Sequence, residues 1–344
     1  MKILNTLKKH IWIIITTTVL LLTLAGIVIS NCLKTIPLQK ETRIYIPYNA
    51  TYNDVVDTLT VHACINDASS FNSIANIRKY PNHVKPGSYL IKPGMTQLDL
   101  IHKLRSGNQD PLRITINKHR TTEQLCLFLA DKLELDYETI HKALTDDSIC
   151  AVYGYTPATI ICMFPRNTYE IYWDITIEKL LKRFHKESER FWTPLRKASA
   201  EQMGLSQSEV VTLASIIDEE TNKNDEKSNI ASVYLNRMEK GMPLQADPTV
   251  KFAIGDFGLK RILNKHLEVD SPYNTYKYNG LPPGPICIPS VSSIDAVLQN
   301  PQTTYLYFCA KEDFSGYHNF ASSLSEHNRN ASRYHEALNR KRIR

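Results

Sequence analysis

Residues 11–30, IWIIITTTVLLLTLAGIVIS, form a run of twenty residues without a charge. At about 1.5 Å per residue, a helix of that length reaches roughly 30 Å, the thickness of a bilayer's hydrocarbon core. Backbone polar groups cannot be left unpaired there, so the run predicts one transmembrane helix over residues 11–31. Lys2, Lys8 and Lys9 precede it closely, whereas Lys34, Lys40 and Arg43 follow at greater distance. That asymmetry places residues 1–10 in the cytoplasm and exports everything after the helix. A cleaved signal peptide would need a shorter apolar region and a small-x-small exit. A lipoprotein site at Cys32 would want a small residue where Asn31 stands. The uncleaved anchor is the reading carried forward, with residues 32–43 as a stalk.

The chain has 344 residues, 42% hydrophobic and 22% charged, which suits a folded protein with room for two domains. Its net charge of +6 is spread along the sequence. It gives no nucleic-acid signal, although it would tolerate an anionic surface or polymer. The seven cysteines lack CxxC or zinc spacing and read as small apolar fillers, with a Cys126–Cys150 pair left open. There is no GxGxxG, P-loop, GxSxG or HExxH. A nucleotide enzyme, that kind of serine hydrolase and a zinc protease therefore have no direct support, and no cofactor or metal is expected. His318, His327 and His335 lack metal spacing and read as surface or loop residues.

Residues 44–110 read as a compact α+β domain. Arg43 to Pro47 alternates as a strand, helical patterns follow near 52–62 and 68–78, and Gly87 to Ile91 is a second strand after a Pro86-Gly87 turn. Thr96 and Asp99 then open a helix stopped by Gly107. A spacer role and polymer binding both fit this unit. Residues 111–344 form a mixed α+β domain. It has a strand at 112–116, helices near 121–133, 136–145, 175–192 and 225–240, a helix at 292–298, a strand at 304–310 and a basic C-terminal helix. The aromatic stretch Phe164 to Trp173 suits sugar stacking or simple core packing.

The chemistry-bearing stretch is Ser206 to Thr221. Ser206 and Glu209 form a capping box ahead of an apolar run. Projected at 100° per residue, Val210, Leu213, Ala214, Ile216 and Ile217 share one side, and Glu220 falls on it too. Asp218 and Glu219 point elsewhere. An acid aimed at an apolar side would keep its proton near neutral pH, as a general acid requires. The plainer alternative is a helix end whose last acid reaches water or a lysine. After Gly241, proline-rich polar segments enforce fixed loops. In them Gln245, Asn274, Thr275 and Tyr276 carry donors and acceptors suited to sugar hydroxyls and N-acetyl groups, or to satisfying loop backbone.

The blocks ASIIDEET (214–221), NRMEKGMPLQADPTV (236–250), SPYNTY (271–276) and GLPPGPI (280–286) resemble those of the endolytic murein transglycosylases, the MltG or YceG-like family. YLYF (305–308), His318-x-Phe320 and His327-Asn328 resemble its C-terminal block. The resemblance covers roughly 40–335. It implies a single membrane anchor, a small LysM-like domain over 44–110 and a YceG-like catalytic domain over 111–344. It also implies Glu220 as the catalytic acid, beside which Gln245, Asp247, Asn274, Thr275 and Tyr276 are read as substrate-binding residues. The family's preceding glutamate is Asp218 here, and its F-P-D-T-Y block reads Phe164-Pro-Arg-Asn-Thr-Tyr169, without the usual acid.

A lytic transglycosylase cuts the MurNAc-β-1,4-GlcNAc bond without water, so one carboxyl group suffices. A hydrolytic muramidase would need Asp247 or Asp218 as a second carboxylate. A tethered wall-binding scaffold would need neither. The resemblance further implies glycan strands of peptidoglycan as substrate, peptidoglycan synthases as partners and the cytoplasmic (inner) membrane as location, with the catalytic domain outside the cytoplasm.

Overall fold

The computed structural model describes residues 2–259, 261–299 and 301–341, with side chains from Lys8 onward. The chain divides into two compact units. One takes the residues up to Arg113 together with 170–175; the other takes 114–169 and 176–344.

The first unit begins with helix α1 (Lys2–Leu33). From Lys8 to Leu33 it is long and apolar enough to cross a membrane, and none of that stretch is buried by protein. Trp12, Leu21 and Leu22 each leave about two-thirds of their surface open, which is costly in water and favourable in lipid. Then come β1 (Thr42–Ile46), α2 (Tyr52–Val61), α3 (Ala68–Ile77), β2 (Gly87–Ile91) and α4 (Gln97–Ser106). β1 and β2 pair antiparallel, with Ile44 opposite Tyr89 and Ile46 opposite Gly87. Their inward side chains join Leu59, Phe71, Ile74, Leu100 and Leu104 in one core. Capping boxes start α2 (Thr51 with Asp54) and α4 (Thr96 with Asp99). Gly107 ends α4 at φ 72°, a left-handed turn that favours glycine. Segment 170–175 belongs to this unit through Trp173, whose ring lies 5.1 Å from that of Tyr45, and Asp174, which accepts from Gln109. Such a late return has no signature in the sequence.

Strand β3 (Leu112–Thr115) leads into the second unit, followed by α5 (Thr122–Lys132), α6 (Tyr137–Thr145) and α7 (Asp147–Val152). Then come β4 (Thr168–Ile171), α8 (Ile177–Phe191), α9 (Pro194–Gln202) and α10 (Gln207–Glu220). In the aromatic stretch at 164–173, Phe164 and Tyr169 are core, whereas Tyr172 is exposed. Phe164 packs 4.5 Å from Phe184, and Tyr169 meets the same ring edge-on. The chain continues through α11 (Lys227–Glu239), α12 (Asp247–Ile254), α13 (Asn264–Leu267), α14 (Val291–Leu298), β5 (Tyr307–Ala310), β6 (His318–Ala321) and α15 (Leu324–Arg340). β5 and β6 form an antiparallel hairpin. All seven cysteines are free, including Cys126 and Cys150.

The second unit is organised around α10. Ser206 caps it as expected: its hydroxyl accepts from the Glu209 amide, while Glu209 accepts from the Ser206 amide at 2.8 Å. Every residue from Val210 to Asp218 is buried. Burying each Val, Leu or Ile contributes roughly 1.5–3 kcal/mol of transfer free energy. α11, α12 and α14 pack around this helix.

Candidate active site

Three acids close α10, against the negative pole of its own dipole. Two of them have cations. Glu219 accepts a two-pronged bond from Arg120 (3.1 Å from both Nε and Nη2) and lies 2.9 Å from Lys118 Nζ. Asp218, 7% exposed, sits in a buried polar cage. The Ser290 and Ser293 hydroxyls donate to its Oδ1 at 2.6 and 2.7 Å. Arg166 reaches Oδ2 at 2.8 Å, and Lys227 and Lys118 each lie at 3.5 Å. Burial alone would raise both acids; these hydrogen bonds and charges hold them below the ordinary carboxylate range. Asp218 does turn away from Glu220's side, as the projection requires, but into this cage and not into solvent.

Glu220 has no ion pair among the described residues. Burial pushes its carboxyl up to about 7, the nearby charge of Asp247 adds to the rise, and a hydrogen bond from Tyr234 opposes it. Tyr234, on α11 and 2% exposed, donates to Glu220 Oε1 at 2.8 Å. Glu220 lines a recess of about 280 Å³ with Tyr234, Arg237, Leu244, Gln245, Asp247, Tyr276, Tyr307, Phe308 and His327. The expected trio Gln245, Asp247 and Tyr276 is therefore brought to the same place as the acid. Asp247 accepts from the Tyr276 hydroxyl at 2.7 Å. Gln245 is exposed and holds φ 54°, a left-handed conformation unusual for a residue with a side chain.

Asn274 and Thr275 are placed differently. Both are fully buried and do not line the recess. The Asn274 amide donates to the Leu267 and Val269 carbonyls at 2.9 and 2.8 Å and accepts from the Tyr276 amide. The Thr275 hydroxyl accepts from the Ala246 amide, and the Thr275 carbonyl accepts from that of Gln245. With their polar atoms committed to backbone, these two residues hold the loops that carry Tyr276 and Gln245.

Six recess residues, Tyr234, Arg237, Leu244, Tyr307, Phe308 and His327, were not singled out as site residues by the sequence. Tyr234 and Arg237 sit three apart on α11 and share a face. Arg237, 8% exposed, donates to the Leu306, Pro243 and Leu244 carbonyls and so ties β5 to the 242–245 loop. Tyr307 stacks on His327, ring centroids 5.3 Å apart. His327 is thus a recess residue of α15, not a surface one. Burial and the charge of Arg237 lower its basicity, which keeps the ring neutral. His318 also proves structural: its ring nitrogen lies 3.1 Å from buried Glu226.

The glycine- and proline-rich block at 280–286 explains itself locally. A Cβ on Gly284 would overlap the Ala158 carbonyl oxygen. This lets the chain pass close enough for the Ile286 amide to donate to Ser215 of α10 at 2.9 Å.

Comparison with known proteins gives the family and the fold. The YceG-like family model matches residues 44–333. An endolytic murein transglycosylase of Bacillus subtilis (strain 168) is 30% identical over 325 residues, covering 89% of each chain. An endolytic murein transglycosylase of Streptococcus pneumoniae serotype 2 is 25% identical over 326 residues, which are 86% of this chain and 59% of that longer protein. The crystal structure of a YceG-like protein from Listeria monocytogenes superposes with a TM-score of 0.56 at 29% identity. It covers 85% of this chain and 99% of that one.

Proposed function

This chain belongs to the YceG-like family, and from that premise we propose that it is an endolytic lytic transglycosylase of peptidoglycan with Glu220 as its acid–base group. The observation that carries the reading is the contrast within three consecutive acids. Asp218 and Glu219 are matched by cations, whereas Glu220 alone is uncompensated, raised to about 7 and open to a polar, aromatic recess. An acid poised near neutral pH suits both halves of one proton cycle.

In the first half, Glu220 gives its proton to the leaving O4 of GlcNAc as the C1–O4 bond breaks and its electron pair goes to that oxygen. In the second half, the Glu220 carboxylate takes the proton of the MurNAc 6-hydroxyl while O6 bonds C1, leaving a 1,6-anhydro end. Water is not needed, because the nucleophile belongs to the same sugar. Gln245, Asp247 and Tyr276 bind the sugar in this reading. Asn274 and Thr275 support them from below.

α1 anchors the protein in the cytoplasmic membrane with the second unit outside the cytoplasm, an orientation supported by Lys8 and Lys9 ahead of the helix's uncharged run. The first unit is LysM-like in its strand–helix–helix–strand order, with β1 and β2 antiparallel. Cleavage within nascent strands next to the membrane would end their elongation and bring the protein close to peptidoglycan synthases. Mass spectrometry of the products from purified glycan strands tests the chemistry. Anhydro ends support it, reducing ends would make Asp247 the second carboxylate of a muramidase, and uncut strands would leave a binding protein.

A further inference from the structure

The Tyr234 hydroxyl meets Glu220 at one oxygen only. It donates to Oε1 at 2.8 Å, and among the described residues no donor is bonded to Oε2. Tyr234 has little freedom to do otherwise. It is 2% exposed, its ring packs edge-on against Phe308 with centroids 6.0 Å apart, and it stands on the face of α11 that also carries Arg237. A phenol that keeps its proton is a permanent donor, and a donor needs a lone pair to point at.

We infer that Tyr234 is a positioning residue for Glu220: it commits Oε1 as an acceptor, so that the proton Glu220 gives and regains travels through Oε2. The inference rests on Glu220 being the acid–base group. Three consequences follow from the bond. Anchoring one oxygen fixes the plane of the carboxyl and removes the ambiguity of which oxygen carries the proton. A hydrogen bond to a carboxylate is stronger than one to a neutral acid, so Tyr234 favours the charged form that develops as Glu220 gives up its proton. It thereby opposes burial, which otherwise makes the acid too weak to release its proton.

Burial also pushes the Tyr234 hydroxyl well above the ordinary tyrosine range, and the carboxylate beside it pushes the same way, so it does not itself titrate during the cycle. Other charged and titratable groups face Glu220 from every neighbouring element. They are Asp247 and Lys251 on α12, Arg237 on α11, Tyr276 in the 271–276 loop, Tyr307 on β5, His327 on α15 and Glu219 on its own helix. Tyr234 is the one that touches its carboxyl directly.

The test is Tyr234→Phe in the full-length, detergent-solubilised protein, with cleavage of purified glycan strands followed against pH and Glu220 ionisation followed separately by isotope-edited infrared titration without substrate. Loss of a hydrogen bond to a developing charge predicts a kcat lower by roughly 10- to 100-fold with KM little changed. The alkaline limb of the kcat profile and the Glu220 ionisation should both move to higher pH. In the Glu220→Gln background the same change should cost no further activity, because there is no proton left to direct. A folded Tyr234→Phe protein with unaltered ionisation and unaltered pH limb would overturn the inference, and so would an additive loss in the double variant. If wild-type protein cleaves nothing while the ionisation still shifts in Tyr234→Phe, the tyrosine–acid relation stands and the proposed activity falls.

Discussion

Arg166 Nη2 lies 2.8 Å from Asp218 Oδ2, so the arginine of the Phe164–Tyr169 stretch meets the first of the three acids that close α10. Arg166 also donates from Nε to the Ile288 carbonyl at 2.8 Å. One guanidinium therefore joins the segment before β4, the last turn of α10 and the loop after the 280–286 block. The arginine without the aspartate would be a half-buried charge bonded only to a carbonyl. The aspartate without the arginine would lose one of the groups that keep it ionised.

Asp218→Asn should lower stability far more than it lowers catalysis. A neutral amide leaves Lys227, 5% exposed at its side chain, and Arg166 facing no countercharge. Breaking a buried pair in this way costs about 3–5 kcal/mol. The pH dependence has a definite sign. Asp218 is held below its ordinary value, so its contribution is present above the ordinary carboxylate range and is lost progressively as pH falls from that range through the lower value it has in the fold. Thermal unfolding of wild type and Asp218→Asn should differ widely at neutral pH and converge in acid, with activity per folded molecule largely kept. A gap that stays constant down to acid pH would mean that Asp218 is not a stabilising ion.

The two amides expected to hold sugar should separate cleanly. Asn274→Ala strips two half-buried carbonyls of their donor and should cost about 2–3 kcal/mol. Gln245→Ala removes only a 3.4 Å approach from Arg237 and should leave the melting temperature nearly unchanged while lowering turnover. Gln245→Gly should stabilise the fold by about 1 kcal/mol, since glycine adopts φ 54° without strain, yet be no more active than the alanine variant. Full activity in Gln245→Gly would remove this residue from the substrate site.

What could be read in the sequence was whatever is periodic or locally capped. The Ser206–Glu209 box, the apolar stripe of α10 and the direction of Glu220 are properties of one helix, and the fold realises them. α12 was hidden because Asp247-Pro248 looks like loop chemistry, although proline in the first turn is also compatible with a helix start. β6 is four residues long and offers no repeat to detect. The recess itself is assembled from α10, α11, α12, two loops, β5 and α15, and no spacing announces that Tyr234 and His327 converge on one carboxyl group's surroundings. Helical projection told which way Asp218 turns; only the tertiary fold tells that cations wait there.

The anchor reading makes a prediction of its own. A reporter fused after residue 40 should be active only outside the cytoplasm, because Lys2, Lys8 and Lys9 lie closer to the uncharged run than most of the basic residues that follow it. Activity confined to the cytoplasm would invert the topology and deny the recess any access to the wall.

Glu220→Gln should abolish cleavage and, above neutral pH, make the protein more stable. The amide keeps the shape of the acid and still offers an oxygen to Tyr234, but it can neither give nor take a proton. General acid–base catalysis is worth about 10²–10⁴-fold, and here one group serves both steps, so the loss should sit at or beyond the upper end. The stability argument runs through the proton. Folding raises the Glu220 carboxyl from 4.5 to about 7, so the folded state holds this proton more tightly than the unfolded chain does. Stability is unaffected below pH 4.5, declines as pH rises towards about 7, and is then lower by up to about 3 kcal/mol. Glutamine has no charge to bury and escapes that decline. Melting curves at pH 4.5 and pH 8.5 should therefore show the two proteins close together in acid and Glu220→Gln ahead in base. A variant that still cleaves would remove Glu220 from the reaction. An inactive variant whose stability advantage does not grow with pH would mean that the acid is solvated in the free protein, and that its reactivity must come from substrate closing the recess over it.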